Sequence, residues 1–105
     1  MLENIREVSI LYDFYGELLT EHQKQLYEAV VYENMSLSEV ASEHGISRQG
    51  VHDLIKRCDK TLYDYEEKFH LVAKFTSIKG KIEEINNLAG EEKVKILASE
   101  ILEEL

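Results

Sequence analysis

Proline is absent from the 105 residues of this chain, and only five glycines interrupt it. Proline breaks helices, whereas the tight turns of a β fold usually need proline, glycine or asparagine. Nothing therefore opposes long helices, while a fold of strands and turns would lack its usual turn residues. We predict an all-α protein, of a length that suits one modest hydrophobic core.

The N-terminal third carries two predicted helices. In residues 4–19 apolar side chains recur at three- and four-residue steps, the period of an amphipathic helix, and Gly16 is expected near the end of this helix. The apolar residues are Ile5, Val8, Leu11, Tyr12, Tyr15, Leu18 and Leu19. Thr20 and Gln23 then form the reciprocal pair that caps backbone N–H groups at a helix start. The second helix is predicted to end near Glu33.

The middle of the chain repeats this capping pattern. Ser36 with Glu39 predicts the start of a third helix. Gly45 predicts its end, because glycine adopts the left-handed conformation without steric cost. A fourth helix is expected to begin at Arg48 and meets no obvious stop before residues 79–80. The break between these two helices is therefore predicted at residues 45–47.

A long apolar seam runs through the C-terminal part of the chain. Its members recur at three- and four-residue steps, as in a coiled coil, and the pattern resumes after Gly80. They are Leu62, Tyr65, Phe69, Val72, Phe75, Ile82, Ile85 and Leu88. A last amphipathic helix is predicted over residues 91–105. The apolar series from Leu62 to Leu88 is longer than a three-helix core can cover, so we expect residues 62–105 to self-associate unless the last helix folds back on this series, and residues 1–61 to form a separate domain.

Residues 37–54 read LSEVASEHGISRQGVHDL and fit a helix-turn-helix. The small Ala41 lets two helices approach, Gly45 makes the turn four positions later, and Ser47 caps the second helix. Three apolar residues fill the wedge between the helices: Ile46, Val51 and Leu54. His44 departs from the pattern, since it occupies a position that is usually apolar. We expect it to be a partly buried turn residue.

In DNA-binding proteins of this type the second helix enters the major groove, and its first turns reach the base edges. The residues expected to contact nucleic acid are Ser47, Arg48, Gln49, His52, Lys56, Arg57 and Lys60. Arginine pairs with guanine and glutamine with adenine, whereas cations further along the helix meet phosphates. The alternative is an ordinary solvated helix surface.

The net charge of −9 argues against a nucleic-acid partner, because phosphates repel an acidic surface. The distribution of the charge argues the other way. Residues 1–35 carry −5 and residues 62–105 carry −4, whereas residues 36–61 carry four basic and four acidic side chains. The predicted helix-turn-helix is thus the segment without an acidic excess.

The chain resembles two known families. Residues 20–60 resemble the DNA-reading region 4 of bacterial sigma factors, and residues 11–71 more closely resemble the YlxM family. The second likeness is carried by LYDFYGELLT at residues 11–20, by Ser47-Arg48-Gln49 with Val51, and by Asp53 with Ile55-Lys56-Arg57. It implies a small cytosolic bacterial protein linked to the signal recognition particle, because the family's gene lies beside that of the particle's GTPase. Gly50 and His52 depart from the alanine and the aromatic residue of the family pattern.

Other chemistry fits the sequence less well. His44, His52 and Cys58 match no common zinc spacing, so we expect no metal, and nothing calls for a cofactor. A lone cysteine excludes an intramolecular disulfide and fits a reducing compartment. We expect Cys58 to serve packing, although Lys56 and Arg57 could lower the pKa of its thiol.

The remaining features also favour a binding protein over an enzyme. Six tyrosines could stack on RNA bases, but at helical spacing beside leucines we expect them in the core and at interfaces. Paired glutamates such as Glu66-Glu67 have no pocket that would suit them for acid–base catalysis. Gly50 is expected to pack closely against the third helix, or else to admit a ligand.

We find no signal peptide and no apolar run of membrane-spanning length, and expect a cytoplasmic protein.

Two hypotheses follow. The first is a nucleic-acid-binding regulatory protein that dimerises through its C-terminal helices. The second is a protein-interaction module in which the helix-turn-helix is a scaffold and the signal recognition particle's protein or RNA is the partner. The motif and the neutral middle segment favour the first, whereas the acidic net charge favours the second.

Overall fold

The computed structural model describes residues 5–105, and the regular structure of that part is helical throughout. The helices are α1 (Ile5–Tyr15), α2 (Glu21–Val31), α3 (Leu37–His44), α4 (Arg48–Phe69), α5 (Leu71–Leu88) and α6 (Glu92–Glu104), with a 3₁₀ turn at Gly16–Leu18 between α1 and α2. The predicted all-α class is confirmed. Asn4, the predicted start of the first helix, lies outside the described residues.

The chain divides into two compact units, Met1–Phe69 and His70–Leu105. In the first unit, α1, α2 and α3 all pack against α4. The core of this unit is apolar and contains Val8, Leu11, Tyr15, Leu26, Tyr27, Val30, Val40, Ala41, Val51, Leu54, Ile55, Cys58 and Leu62. Burial of one such aliphatic side chain contributes about 1.5–3 kcal/mol, so α4, which supplies five of these residues, anchors the unit.

Two residues predicted for the inner stripe of the first helix are exposed, namely Ile5 (43%) and Leu18 (58%). Leu18 lies in the 3₁₀ turn, where each residue advances about 120° around the axis instead of 100°. This tighter winding turns Leu18 outward and leaves Leu19 as the buried residue of the pair.

Both predicted capping pairs are confirmed. Thr20 Oγ1 accepts the N–H of Gln23 at 3.2 Å, and the Gln23 side chain accepts the N–H of Thr20 at 2.9 Å. Ser36 and Glu39 make the same reciprocal bonds at the start of α3. Helix α2 ends at Val31, slightly before the predicted Glu33.

The predicted course of the fourth helix is wrong beyond Phe69. His70 adopts a left-handed conformation (φ 56°, ψ 29°), which ends α4, and α5 begins at Leu71. The predicted break at Gly80 is also absent, because α5 continues through this residue to Leu88. A glycine inside a helix costs about 1 kcal/mol relative to alanine, which is too little to end a helix held by its neighbour.

The second unit consists of α5 and α6, which are joined by residues 89–91 and pack against each other. They bury Ile82 and Ala98. Many of their other large apolar residues are exposed within the described chain, including Ile78, Ile85, Leu88, Val94, Ile96, Leu97 and Ile101. None of the helices in residues 5–105 combines the length and the apolar character that a membrane span requires.

Candidate nucleic-acid interface

Helices α3 and α4 form a helix-turn-helix whose turn has the predicted position and residues. Gly45 is left-handed (φ 66°, ψ 31°) and closes α3. Ser47 caps α4, since its Oγ accepts the N–H of Gly50 at 2.9 Å and its carbonyl accepts the N–H of Val51 at 3.1 Å. Residues 45–47 thus redirect the chain between two helices that pack on each other.

The wedge between the two helices is filled as expected. Ala41, Val51 and Leu54 are buried, and Ile46 in the turn is half-buried. Since Val51, Leu54, Ile55 and Cys58 face inward, the periodicity of the helix directs the intervening polar residues of α4 away from the core.

All seven residues predicted to contact nucleic acid lie on or immediately before this part of α4. Six are exposed and His52 is half-buried: Ser47, Arg48, Gln49, His52, Lys56, Arg57 and Lys60. We call this set the α4 surface. It extends over about 18 Å of helix axis, at 1.5 Å per residue, and a major groove about 12 Å wide admits one helix. Whether it contacts nucleic acid stays a prediction.

Hydrogen bonds divide the α4 surface into two groups. Gln49 Nε2 donates to Asp53 Oδ1 at 2.9 Å, and Lys60 Nζ donates to Asp64 at 2.9 Å. The bond from Asp64 raises the pKa of Lys60. Arg48, Lys56 and Arg57 have no ion pair with any residue between 5 and 105 at 4.0 Å or less. These three cations can therefore approach a phosphate without breaking an ion pair.

Asp53 is predicted to be an outward-facing position in the first turns of the second helix, and the structure places it exposed among the residues of the α4 surface. Its Oδ1 accepts the bond from Gln49 and lies 3.5 Å from Nδ1 of His52. These two partners lower the pKa of Asp53, the Gln49 hydrogen bond most. The four-residue spacing from Gln49 could have indicated this contact, since such residues are neighbours on a helix.

Cys58 is fully buried, and burial raises the pKa of its thiol to about 11. The charge of Arg57 opposes this shift but does not outweigh it. The expected packing role is confirmed, and the alternative of a thiol made acidic by its basic neighbours is wrong. In residues 5–105, no three histidine, cysteine, aspartate or glutamate side chains group as metal ligands would.

His44 is half-buried at the end of α3, as expected, and its ring lies 6.2 Å from that of His22 between the ring centroids. The expected close packing of Gly50 against the third helix is wrong. A Cβ at this position would meet Ser47 Oγ at 3.1 Å and no atom of α3 within 4 Å. Gly50 is thus not required for close packing of α3 on α4.

The tyrosines mainly hold the first unit together, as expected. Tyr15 and Tyr27 are fully buried, and their hydroxyls donate to Glu66 (2.5 Å) and Asp59 (2.6 Å) of α4. Tyr32 is the most exposed of the six, at 48%. The buried rings are not available to stack on bases.

Comparison with known proteins identifies the family. Residues 2–101 match the model of the UPF0122 family, described as "Putative helix-turn-helix protein, YlxM / p13 like". The chain belongs to this family. It is 42% identical over 92 residues to a UPF0122 protein of Desulforamulus reducens, an alignment that covers 87% of this chain and 79% of the relative.

Two further relatives agree with this assignment. A UPF0122 protein of Clostridium kluyveri is 41% identical over 101 residues, which cover 92% of this chain and 90% of the relative. A UPF0122 protein of Clostridium novyi is 45% identical over 91 residues, which cover 83% of this chain and 79% of the relative. The resemblance to the YlxM family that the sequence suggested is thus confirmed over nearly the whole chain.

Proposed function

We propose that the chain is a regulatory protein that binds nucleic acid through the α4 surface, with duplex DNA as the ligand. One observation carries this proposal. Arg48, Lys56 and Arg57 are exposed on the second helix of a helix-turn-helix and have no ion pair within residues 5–105. Gln49 and the start of α4 add polar groups where base edges and phosphates would lie.

The charge of the chain sets the expected strength of binding. Residues 1–69 carry seven basic and fourteen acidic side chains, so phosphates are repelled by most of this unit. Each neutralised phosphate contributes about −0.9 to the slope of log affinity against log salt, so the three free cations of one copy give a slope no steeper than roughly −3. Lys60 adds to this only if its bond to Asp64 opens. Non-specific affinity should therefore be weak.

Fluorescence anisotropy with a labelled duplex at two salt concentrations tests the proposal. The double variant Lys56→Glu/Arg57→Glu should abolish binding, because it reverses two of the three free cations. Arg6→Glu/Lys68→Glu is the matched control, since it makes the same charge change at exposed residues of the first unit outside the α4 surface. Equal binding by the first variant and the wild type, or no binding by the wild type at low salt, would contradict the proposal.

The likeness to the YlxM family supports a place for this activity in the signal recognition particle pathway of the bacterial cytoplasm. A second candidate is an interaction module that binds the particle's GTPase or RNA and reads no DNA sequence. The acidic net charge and the exposed apolar residues of α5 and α6 favour it. In that case Lys56→Glu/Arg57→Glu would leave a complex with the purified GTPase intact, while the wild type would bind no duplex.

The exposed apolar residues of α5 and α6 also support self-association, and we propose that a second copy of the chain packs against them. Residues 70–105 carry five lysines and seven glutamates, a net charge of −2, against −7 for residues 1–69. Two copies therefore meet with least repulsion through their second units. A two-helix unit that buries so few side chains gains most from such a partner.

A further inference from the structure

One carboxylate lies among the cations of the α4 surface. Asp53 follows Gln49 by one helical turn and precedes Arg57 by another. Its side chain is 56% exposed, and its hydrogen-bond partners among the described residues, Gln49 and His52, both belong to α4. The fold of the first unit therefore does not depend on this carboxylate, which leaves its position in the surface unexplained by packing.

We infer that Asp53 is a positioning and selectivity residue for duplex DNA. It orients the amide of Gln49 for contact with base edges, and it weakens the attachment of α4 to phosphates of any sequence. The inference rests on the proposed function, since it assigns a role inside that interface.

The orientation of Gln49 follows from the chemistry of its partner. An ionised carboxylate only accepts hydrogen bonds, so it holds the amide by Nε2 and not by Oε1. The second N–H of Nε2 and the acceptor Oε1 stay free, and glutamine meets the edge of adenine with one donor and one acceptor. A side chain that is already held loses less freedom on binding. Asp53 thus prepares Gln49 for base contact.

The charge of Asp53 acts against non-specific binding. Lys56 and Arg57 lie three and four residues further along α4, on the same side of the helix as Asp53. A phosphate that approaches these cations also approaches the carboxylate and is repelled by it. A duplex that Gln49 recognises meets the same repulsion but gains the base contact that Asp53 prepares. The carboxylate therefore lowers the net affinity for other duplexes more than it lowers the net affinity for a recognised one.

Three variants separate the two effects. Asp53→Asn removes the charge and keeps a side-chain oxygen that can accept from Gln49, whereas Asp53→Ala removes both. Gln49→Ala removes the recognising amide itself. Glu67→Gln is the control for loss of a negative charge, because it changes an exposed carboxylate near the end of the same helix. Circular dichroism checks that all four fold like the wild type.

Anisotropy with a random-sequence duplex, and selection of binding sequences from a randomised duplex pool, give the two readouts. Asp53→Asn and Asp53→Ala should bind the random duplex about fivefold more tightly, the effect of removing one repelling charge about 4 Å from a phosphate. Glu67→Gln should not. In the selection, Asp53→Ala should lose the same base preference as Gln49→Ala, and Asp53→Asn should retain it.

The inference is overturned if Asp53→Asn binds the random duplex no more tightly than the wild type. It is equally overturned if Asp53→Ala keeps a base preference that Gln49→Ala loses. Either result leaves the proposed function standing, provided that Lys56→Glu/Arg57→Glu still abolishes binding. Absence of duplex binding by the wild type and by every Asp53 variant would overturn both.

Discussion

Burial controls the acid–base behaviour of neighbouring side chains on the inner face of α4. Asp59 is half-buried and accepts a hydrogen bond from the hydroxyl of buried Tyr27 at 2.6 Å. Loss of hydration raises the pKa of Asp59, and the bond from Tyr27 opposes this shift only in part. The ionised carboxylate is therefore a net cost to the fold at neutral pH.

Asp59→Asn should consequently raise the melting temperature at pH 7 by a few degrees. The folded chain keeps the Asp59 proton to a higher pH than the unfolded chain, in which the pKa is near 3.8. Between these two pKa values the folded state binds more protons, so the free energy of unfolding falls as the pH rises and stays low above the window. Asparagine removes this cost and still accepts from Tyr27.

Thermal unfolding followed by circular dichroism at pH 7 and pH 3 measures the effect. The increase in melting temperature caused by Asp59→Asn should be smaller at pH 3, where the wild-type carboxyl is already protonated. Asp64→Asn, an exposed change on the same helix, is the control and should give no gain. A melting temperature for Asp59→Asn equal to or below that of the wild type at pH 7 would show that the Tyr27 bond outweighs the loss of hydration.

For single residues, the sequence predicts exposure but not the contacts that individual atoms make. The exposure of Arg48, Lys56 and Arg57 follows from helical periodicity, so all of them could be placed before the structure was known. The contact of Asp53 with Gln49 could not be given a role, because spacing shows that two side chains are neighbours but not which atoms meet. The burial of Cys58 outweighs the basic neighbours that sequence alone displays.

At the level of elements, the sequence predicts those boundaries that local chemistry sets. Thr20, Ser36 and Gly45 act through bonds to residues within one turn, and each was predicted correctly. The break at His70 carries no such signal, because neither glycine nor proline stands there. The error at Gly80 is the opposite one, because a helix end is predicted there and the residue lies inside α5.

Because a non-glycine residue is left-handed at His70 and a glycine lies inside a helix at Gly80, we predict that His70→Gly and Gly80→Ala each stabilise the protein. A non-glycine residue in the left-handed region costs about 1–2 kcal/mol. Glycine relieves that strain but is freer in the unfolded chain, so the net gain at residue 70 should be about 0.5–1 kcal/mol. An alanine Cβ at residue 80 meets no atom within 4 Å, so the gain there should approach about 1 kcal/mol.

Urea unfolding of the full chain measures both changes as differences in free energy. Gly45→Ala serves as the reverse control, because it places a Cβ on a residue with φ 66° and should cost about 1–2 kcal/mol. Destabilisation by His70→Gly would show that the imidazole contributes more than the strain costs. Destabilisation by Gly80→Ala would show that this position needs the freedom of glycine.

At the scale of the whole molecule, the two units differ in the completeness of their burial. The first unit encloses a core that α1, α2, α3 and α4 all supply. The second unit leaves most of its large apolar side chains in water while carrying little net charge. Its apolar stripe could be predicted from sequence, but which residues stay uncovered could not, because that depends on how α5 and α6 pack. Exposed apolar residues in such number support the proposed self-association.

Leu97→Glu should therefore dissociate the protein. Leu97 is 59% exposed on α6, and a carboxylate at an apolar interface loses its hydration without gaining a partner. Lys95→Glu also places a carboxylate on this helix, but two residues back, about 200° around the axis, and with no exposed apolar residue three or four positions away, so it should leave assembly unchanged. Sedimentation velocity at micromolar concentration should show a dimer or larger for the wild type and for Lys95→Glu, and a monomer for Leu97→Glu. A monomeric wild type would contradict self-association itself, whereas an associated Leu97→Glu would place the contact away from this side of α6.

A dimer would also change DNA binding. The slope of log affinity against log salt, measured by anisotropy, should be roughly twice as steep for the wild type as for Leu97→Glu, because two α4 surfaces then contact one duplex.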